Sequence, residues 1–164
     1  ADGQSVGEIV VRSPWLTQGY LKDQRNSETL WRGGYLHTGD VANRDPHNYI
    51  KITDRIKDVI KIGGEWISSL EVEDFLAAHP DIVEAAVIGL PDPKWGEKPL
   101  ALVVRKESAR ITEKKLQNYI RGFVDKGLVS KQIVLLKIAF VESIAKTSVG
   151  KIDKKLLREK YQQQ

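Results

Sequence analysis

The chain has 164 residues, 41% of them hydrophobic and 29% charged, with a formal net charge of +4. That is enough apolar material for a core, and no apolar run approaches the roughly 20 residues a membrane-spanning helix needs. The 26 basic and 22 acidic residues are interleaved, which argues for a surface that favours anions locally and against a general nucleic-acid binder.

The first fifty residues read as short strands broken by turns. Glu8–Arg12 is a strand ended by Ser13-Pro14. Gly33-Gly34 turns into a strand through Thr38. Val41–Arg44 and Tyr49–Ile52 flank Asp45-Pro46-His47-Asn48 and predict a hairpin. After Asp54 the texture changes. Residues 69–79 have helical spacing, with Ser68 or Ser69 as N-cap and Pro80 as the stop. Ile82–Leu90 and Pro99–Val104 are apolar strands. Thr112 caps a helix through Lys126 whose buried stripe is Leu116, Tyr119, Ile120 and Phe123. Ile138–Val141 is a short strand, Ile152–Tyr161 a closing amphipathic helix, and the last three glutamines a frayed end. The alternation predicts an α+β fold: a small domain with a short mixed sheet and flanking helices, preceded by a β-rich remnant of a larger domain.

Composition sets further bounds. No cysteine is present, which removes disulfides and thiolate chemistry. His37, His47 and His79 are too far apart in sequence to form a zinc site, so no metal site is expected. No signal segment stands out, and a cytoplasmic location is expected. No methionine is present either, so the chain is expected to be a piece of something longer.

Three constellations could carry chemistry. In Tyr35-Leu36-His37-Thr38-Gly39-Asp40, Gly39 permits a sharp turn. Asp40 would then present a carboxylate at a strand end, where it could accept hydrogen bonds from vicinal hydroxyls such as those of a ribose. A turn-stabilising aspartate is the alternative. In the run from Asp54 to Ser68, Arg55 offers a planar fork for phosphate or ribose oxygens. Lys57 and Lys61 follow, Gly63-Gly64 lets a ligand lie against backbone, and Trp66 is a large amphipathic ring beside that turn. The alternative is a charged linker followed by a hairpin. In Lys146-Thr147-Ser148-Val149-Gly150-Lys151-Ile152-Asp153, Gly150 allows a tight turn and Lys151 is an ammonium at the tip of a mobile loop, suited to a phosphate or carboxylate. Alone, it is a solvated surface lysine.

Together, in this order and at these spacings, Thr38-Gly39-Asp40, Asp54-Arg55 and Gly150-Lys151 resemble the adenylate-forming superfamily: acyl-CoA synthetases, peptide-synthetase adenylation domains and firefly-type luciferases. The stretch from Lys61 to Ser69 is most similar to medium- and long-chain fatty acyl-CoA synthetases. The resemblance implies that residues 1–53 end a large adenylation domain, 54–58 form a hinge and 59–164 form a C-terminal lid. It implies ribose binding by Asp40 and nucleotide contacts by Arg55, Lys57 and Lys61, with Lys57 also the hinge residue. It further implies that Trp66 gates the acyl-adenylate, that Gly63, Gly64 and Glu65 border the coenzyme A channel, and that Lys151 is the catalytic lysine of adenylation. The implied activity is ATP-dependent fatty acid–CoA ligation in two half-reactions. Its substrates would be a fatty acid, ATP and coenzyme A, and its Mg2+ ligands would lie outside this chain, as would the N-terminal domain. The family often has proline where Ala145 stands.

Other readings compete. The lid could serve another adenylate-forming ligase, acting on an aryl or short carboxylate or within a peptide synthetase. The chain could also be a non-enzymatic anion-binding module. Trp15 and Trp31 read as packing residues. Trp95, in Pro91-Asp92-Pro93-Lys94-Trp95-Gly96-Glu97, reads as a surface-loop residue that meets the large domain.

Overall fold

A computed structural model of the chain describes Gly3 and residues 5–162; the expectation for Gln163 and Gln164 lies outside the described residues. The chain divides into two compact units, Ala1–Lys57 and Asp58–Gln164.

The first unit is built on a three-stranded antiparallel sheet in the order β1 (Val6–Val11), β2 (Leu36–Arg44), β3 (Ile50–Arg55). The β2–β3 hairpin turns where the sequence predicts, and Asn48 takes φ 69 beside Asp45, whose side chain accepts the amides of His47 and Tyr49. The reading of this region as strands and turns alone is corrected by a helix, α1 (Gln24–Leu30), followed by a 3-10 turn at Arg32–Gly34. Asp23 caps α1 by accepting the Asn26 amide at 3.1 Å. No residue of α1 is buried, so it has no apolar stripe for a periodicity argument to find. Trp15 is not a packing residue: it is 89% exposed. Trp31 is half-buried, and its indole N–H donates to the Thr17 carbonyl at 3.1 Å.

The second unit holds a five-stranded mixed sheet with α-helices packed on it. Its strands are β4 (Ile60–Ile62), β5 (Glu65–Ile67), β6 (Ile82–Asp92), β7 (Gly96–Arg105) and β8 (Lys137–Phe140). The order is β5-β4-β7-β6. β8 runs parallel to β7 over Leu100–Val103, while the other pairings are antiparallel. β6 and β7 are longer than expected because their pairing continues through Pro91 and Glu97 down to the turn at Asp92.

The apolar runs of β6 and β7 are covered on both faces, which is why they read as continuous rather than alternating. Ala85, Val87, Ala101 and Val103 pack with Val72 and Leu76 of α2 (Ser69–Ala77) and Leu116 and Ile120 of α3 (Glu113–Asp125). Ala86, Ile88 and Leu102 point the other way, onto Ile144 and onto Leu157 of α4 (Lys154–Tyr161). Ser68 caps α2 through the Glu71 amide at 3.1 Å, and Thr112 caps α3. Tyr119 and Phe123 are only partly buried, and they form a ring cluster with Phe75 and His79. The closing helix starts at Lys154 rather than at Ile152, because Ile152 bridges back to Lys146 and Asp153 takes the N-cap.

Candidate functional site

In the first unit, Asp40 lies inside β2, not at a strand end, directly opposite Arg55 of β3. The chain passes Gly39 at φ 73, so the strand bends there without breaking. The Thr38 hydroxyl donates to the Ile9 carbonyl at 2.8 Å and accepts the Asp40 amide at 3.1 Å. The Gly39 carbonyl accepts the Ile56 amide at 2.9 Å. Arg55 Nε lies 3.2 Å from Asp40 Oδ1, with the arginine more than half exposed and the aspartate about a quarter exposed. Two of the four residues expected to contact the nucleotide, Asp40 and Arg55, are thus brought together.

A second pair beside them had no signal in the sequence. His37 Nδ1 lies 2.6 Å from Glu8 Oε2, and His37 Nε2 lies 2.9 Å from the Arg32 carbonyl. Both ring nitrogens face acceptors, which favours the imidazolium. The bond to Glu8, then that to Arg32, holds the His37 pKa above its ordinary 6.5. Partial burial pushes Glu8 up. The bonds from His37 and the Gly39 amide outweigh that, and its carboxyl sits below the usual range. Glu8, His37, Thr38 and Gly39 line a groove of about 590 Å³ with Tyr20 and Asn26.

In the second unit, Gly63 and Gly64 form the two-residue turn between β4 and β5, with φ 57 and 88. Two successive positive φ values define the hairpin turn that matches strand twist, and only glycine adopts both without strain. Lys61 and Trp66 are cross-strand partners, with the ammonium 5.7 Å from the ring centroid. Lys61, Gly63, Gly64, Glu65 and Trp66 are all exposed. Trp66 lines a groove of about 210 Å³ with Ser68, Glu71, Leu128 and Ser130. Glu65 is engaged from the same side, since the Ser130 hydroxyl donates to its carboxylate at 2.5 Å. That loop after α3 escaped the sequence reading, because Leu128 and Ser130 carry no motif. Trp95 is half-buried against the core, and its carbonyl accepts the Gly63 amide at 2.9 Å.

Lys151 sits on a small hairpin. The Thr147 amide donates to the Lys151 carbonyl at 2.7 Å and the Gly150 amide to the Thr147 carbonyl at 2.9 Å, while the Thr147 hydroxyl accepts the Lys151 amide at 3.2 Å. Gly150 has φ 79. The backbone expected to be a mobile loop is knitted, and the exposed Lys151 ammonium has no ion pair or hydrogen bond among the described residues. At its base Lys146 pairs with Glu84 of β6 at 2.9 Å. Glu84 is opposite Val104, whereas the Gly63 turn is fastened at the Gly96 end of the same ribbon. Eight residues at ~3.3 Å each put these two anchors roughly 25 Å apart.

Two ion pairs, one buried and one partly buried, fix the helix after Lys151, and neither was foreseen. Lys154 Nζ reaches Glu73 Oε1 at 2.8 Å and the Ser69 hydroxyl at 2.6 Å, and Glu73 Oε1 also accepts the Val87 amide of the edge strand β6 at 2.7 Å. One turn later Arg158 pairs with Asp58, its Nη1 donating at 3.1 Å. A lysine and an arginine on a short basic helix look solvated in sequence; only the closure of α4 over β6 buries the lysine and partly covers the arginine.

The profile of AMP-binding enzyme C-terminal domains matches residues 71–151. The second unit belongs to that family. The chain is 40% identical over 98% of its length to a long-chain-fatty-acid–CoA ligase from Thermus thermophilus. It is 41% identical, again over 98%, to a 3-methylmercaptopropionyl-CoA ligase from Ruegeria lacuscaerulensis. It spans only 29% and 28% of those curated relatives. Among solved structures it is similar to ATP-bound MatB from Rhodopseudomonas palustris, with 31% identity and a TM-score of 0.82 over 99% of this chain and 31% of that one. The α+β fold with a small C-terminal domain is the one the sequence led us to expect, and no helix among the described residues is long and apolar enough to cross a membrane.

Proposed function

We propose that this chain is the carboxyl-terminal part of an AMP-forming acyl-CoA ligase, with residues 59–164 as its lid and 54–58 as the hinge. The observation that carries the reading is the exposed Lys151, unpaired among the described residues, on a knitted turn in a unit of the AMP-binding C-terminal family. An ammonium presented this way can meet the carboxylate and the α-phosphate of ATP as they react, offsetting the charge that grows on the phosphoryl oxygens. Carboxylate and ATP then give acyl-adenylate and pyrophosphate, and the coenzyme A thiol displaces AMP.

In this reading Asp40 and Arg55 hold the ribose and adjacent phosphate, with Lys57 and Lys61 as further nucleotide contacts. Gly63, Gly64 and Glu65 border the path of coenzyme A, and Trp66 closes on the acyl-adenylate. Mg2+ is assigned to ligands outside this chain, and the remaining nucleotide and acyl contacts to an N-terminal domain. The separation of the Lys151 and Gly63 anchors along β6–β7 supports two lid poses exchanged about Lys57, one for each half-reaction. The relatives' names differ in the acyl group at nearly equal identity, 40% and 41%. Fatty acid is the substrate class we propose, from the Lys61–Ser69 stretch. The cysteine-free, highly charged composition supports a cytoplasmic setting.

The test is Lys151→Ala in the full-length ligase. Adenylation, followed by pyrophosphate release, should fall by ~10²–10³, the equivalent of ~3–4 kcal/mol. Thioester formation from supplied acyl-adenylate should stay near the parental rate. Equal loss in both half-reactions would remove Lys151 from the role.

A further inference from the structure

The Pro91–Glu97 stretch has no role in the reading above, yet its last residue is built into the proposed coenzyme A face. β4 is only three residues long and meets β7 at a single register pair, Ile62 with Gly96. One residue back, the strand-to-strand contact is made by a side chain: the Glu97 carboxylate accepts the Lys61 amide at 2.7 Å. It takes the position a backbone carbonyl would occupy in a longer ladder.

The surroundings are shaped to seat that carboxylate. On β6, a Cβ at Gly89 would fall 2.7 Å from Glu97 Oε2 and 3.0 Å from its Cδ. Gly89 is therefore the space that lets Glu97 reach across to β4. At Gly96, φ is 82 and a Cβ would meet the Lys61 carbonyl at 3.3 Å, so the two strands approach closely there as well. The turn behind is fixed by Asp92, which accepts the amides of Lys94 and Trp95 at 3.0 and 2.9 Å and pairs with Lys98 at 2.5 Å. Beyond Glu97's bond, the Gly63 amide donates to the Trp95 carbonyl. The β4 strand and the Gly63-Gly64 turn are thus hung on the β6–β7 turn by one carboxylate and two short backbone links.

The geometry points to Glu97 as a positioning residue for the thioester-forming step, one that sets the height of the Gly63-Gly64 turn through the Lys61 amide, with Gly89 as its necessary seat. The inference rests on the proposed coenzyme A role of that turn. Glu97 is assigned no substrate contact of its own. Its effect comes from holding backbone in place, and an error of about 1 Å in such a support can cost ~10²-fold in rate.

The experiment uses four variants of the full-length ligase, with both half-reactions measured separately and amide hydrogen exchange read over residues 58–66. Glu97→Ala should lower thioester formation at least tenfold and raise the KM for coenzyme A, with a clearly smaller loss of adenylation through Lys61. Exchange over 58–66 should accelerate. Glu97→Gln keeps an acceptor oxygen at the same place and should restore the thioester rate to within threefold. Gly89→Ala leaves Glu97 present but pushes it aside, and should reproduce the Glu97→Ala profile, so the inference can be judged even where Glu97→Ala fails to fold. Gly64→Ala, at φ 88, tests the underlying reading. If it slows the thioester step while Glu97→Ala and Gly89→Ala do not, the role of Glu97 is wrong and the reading of the turn stands. If Gly64→Ala also leaves thioester formation unchanged, the turn does not serve that step and both fall. Equal losses in the two half-reactions for Glu97→Ala would reduce Glu97 to a general structural residue and overturn the inference.

Discussion

Replacing Lys154 by methionine isolates the buried ion pair that holds α4. Methionine keeps the apolar stem and removes the ammonium. The parent pair is about nine-tenths buried on both sides, with Nζ 2.8 Å from Glu73 and 2.6 Å from the Ser69 hydroxyl. Without the lysine, the Glu73 carboxylate keeps the Val87 amide but loses its counter-charge in a setting water reaches poorly. Removing one partner of such a pair costs ~3–5 kcal/mol, and the residual exposure argues for the lower end, about 3 kcal/mol. With a urea dependence of ~1.5 kcal/mol/M, the midpoint of the second unit's transition should fall by about 2 M. Urea unfolding followed through Trp66 and Trp95, in a background where Trp15 and Trp31 are phenylalanine, reads that unit. The sharper check is a reversal of sign. Glu73→Gln alone should destabilise, because it strips Lys154 of its counter-charge. In the Lys154→Met background the same change should stabilise by about 1 kcal/mol, because it removes a stranded charge while still accepting the Val87 amide. A Lys154→Met midpoint within 0.3 M of the parent, or a Glu73→Gln effect of the same sign in both backgrounds, would refute the reasoning.

His37 should titrate above pH 6.5 by NMR, and Glu8→Gln should bring it back towards that value. Because the folded pKa of His37 is raised, its contribution to the first unit is complete below pH 6.5 and fades as pH rises through the folded value. Glu8 is lowered, so its contribution holds above pH 4.5 and fades as pH falls through its own folded value. The first unit should therefore be best supported by this pair between those limits, and a pH-independent unfolding midpoint across both edges would contradict it. Lys57→Pro fixes φ at the boundary residue and biases Ile56 towards extended backbone. In the full-length ligase it should leave adenylation largely intact and slow thioester formation at least tenfold; unchanged thioester rates would count against a pivot at Lys57.

Much of the second unit was legible because its signals are local. Ser68 and Thr112 announce helix starts, Pro80 a stop, and the β-branched runs of β6 and β7 two covered strands. The Gly63-Gly64 and Gly150 turns could be placed from the sequence because tolerance of positive φ is a property of glycine itself. What stayed hidden depends on closure. α1 is stabilised by a cap and buries nothing, so no periodic stripe marks it. Asp40 read as a strand end because Gly39 looks like punctuation, but β1 pairs with β2 on both sides of that residue, so the strand continues from Leu36 to Arg44 with Asp40 opposite Arg55.

The sequence by itself determined the set of charged and glycine residues and their order along the chain, which suffices to suggest what chemistry they could serve. Only the tertiary structure decided which charges are spoken for. Lys154 and Lys151 lie three residues apart on similar polar sequence, yet one is buried against Glu73 and the other is left in solvent. The difference is made by α2 and β6: the Val87 amide holds the Glu73 carboxylate, which takes the first lysine and leaves the second available.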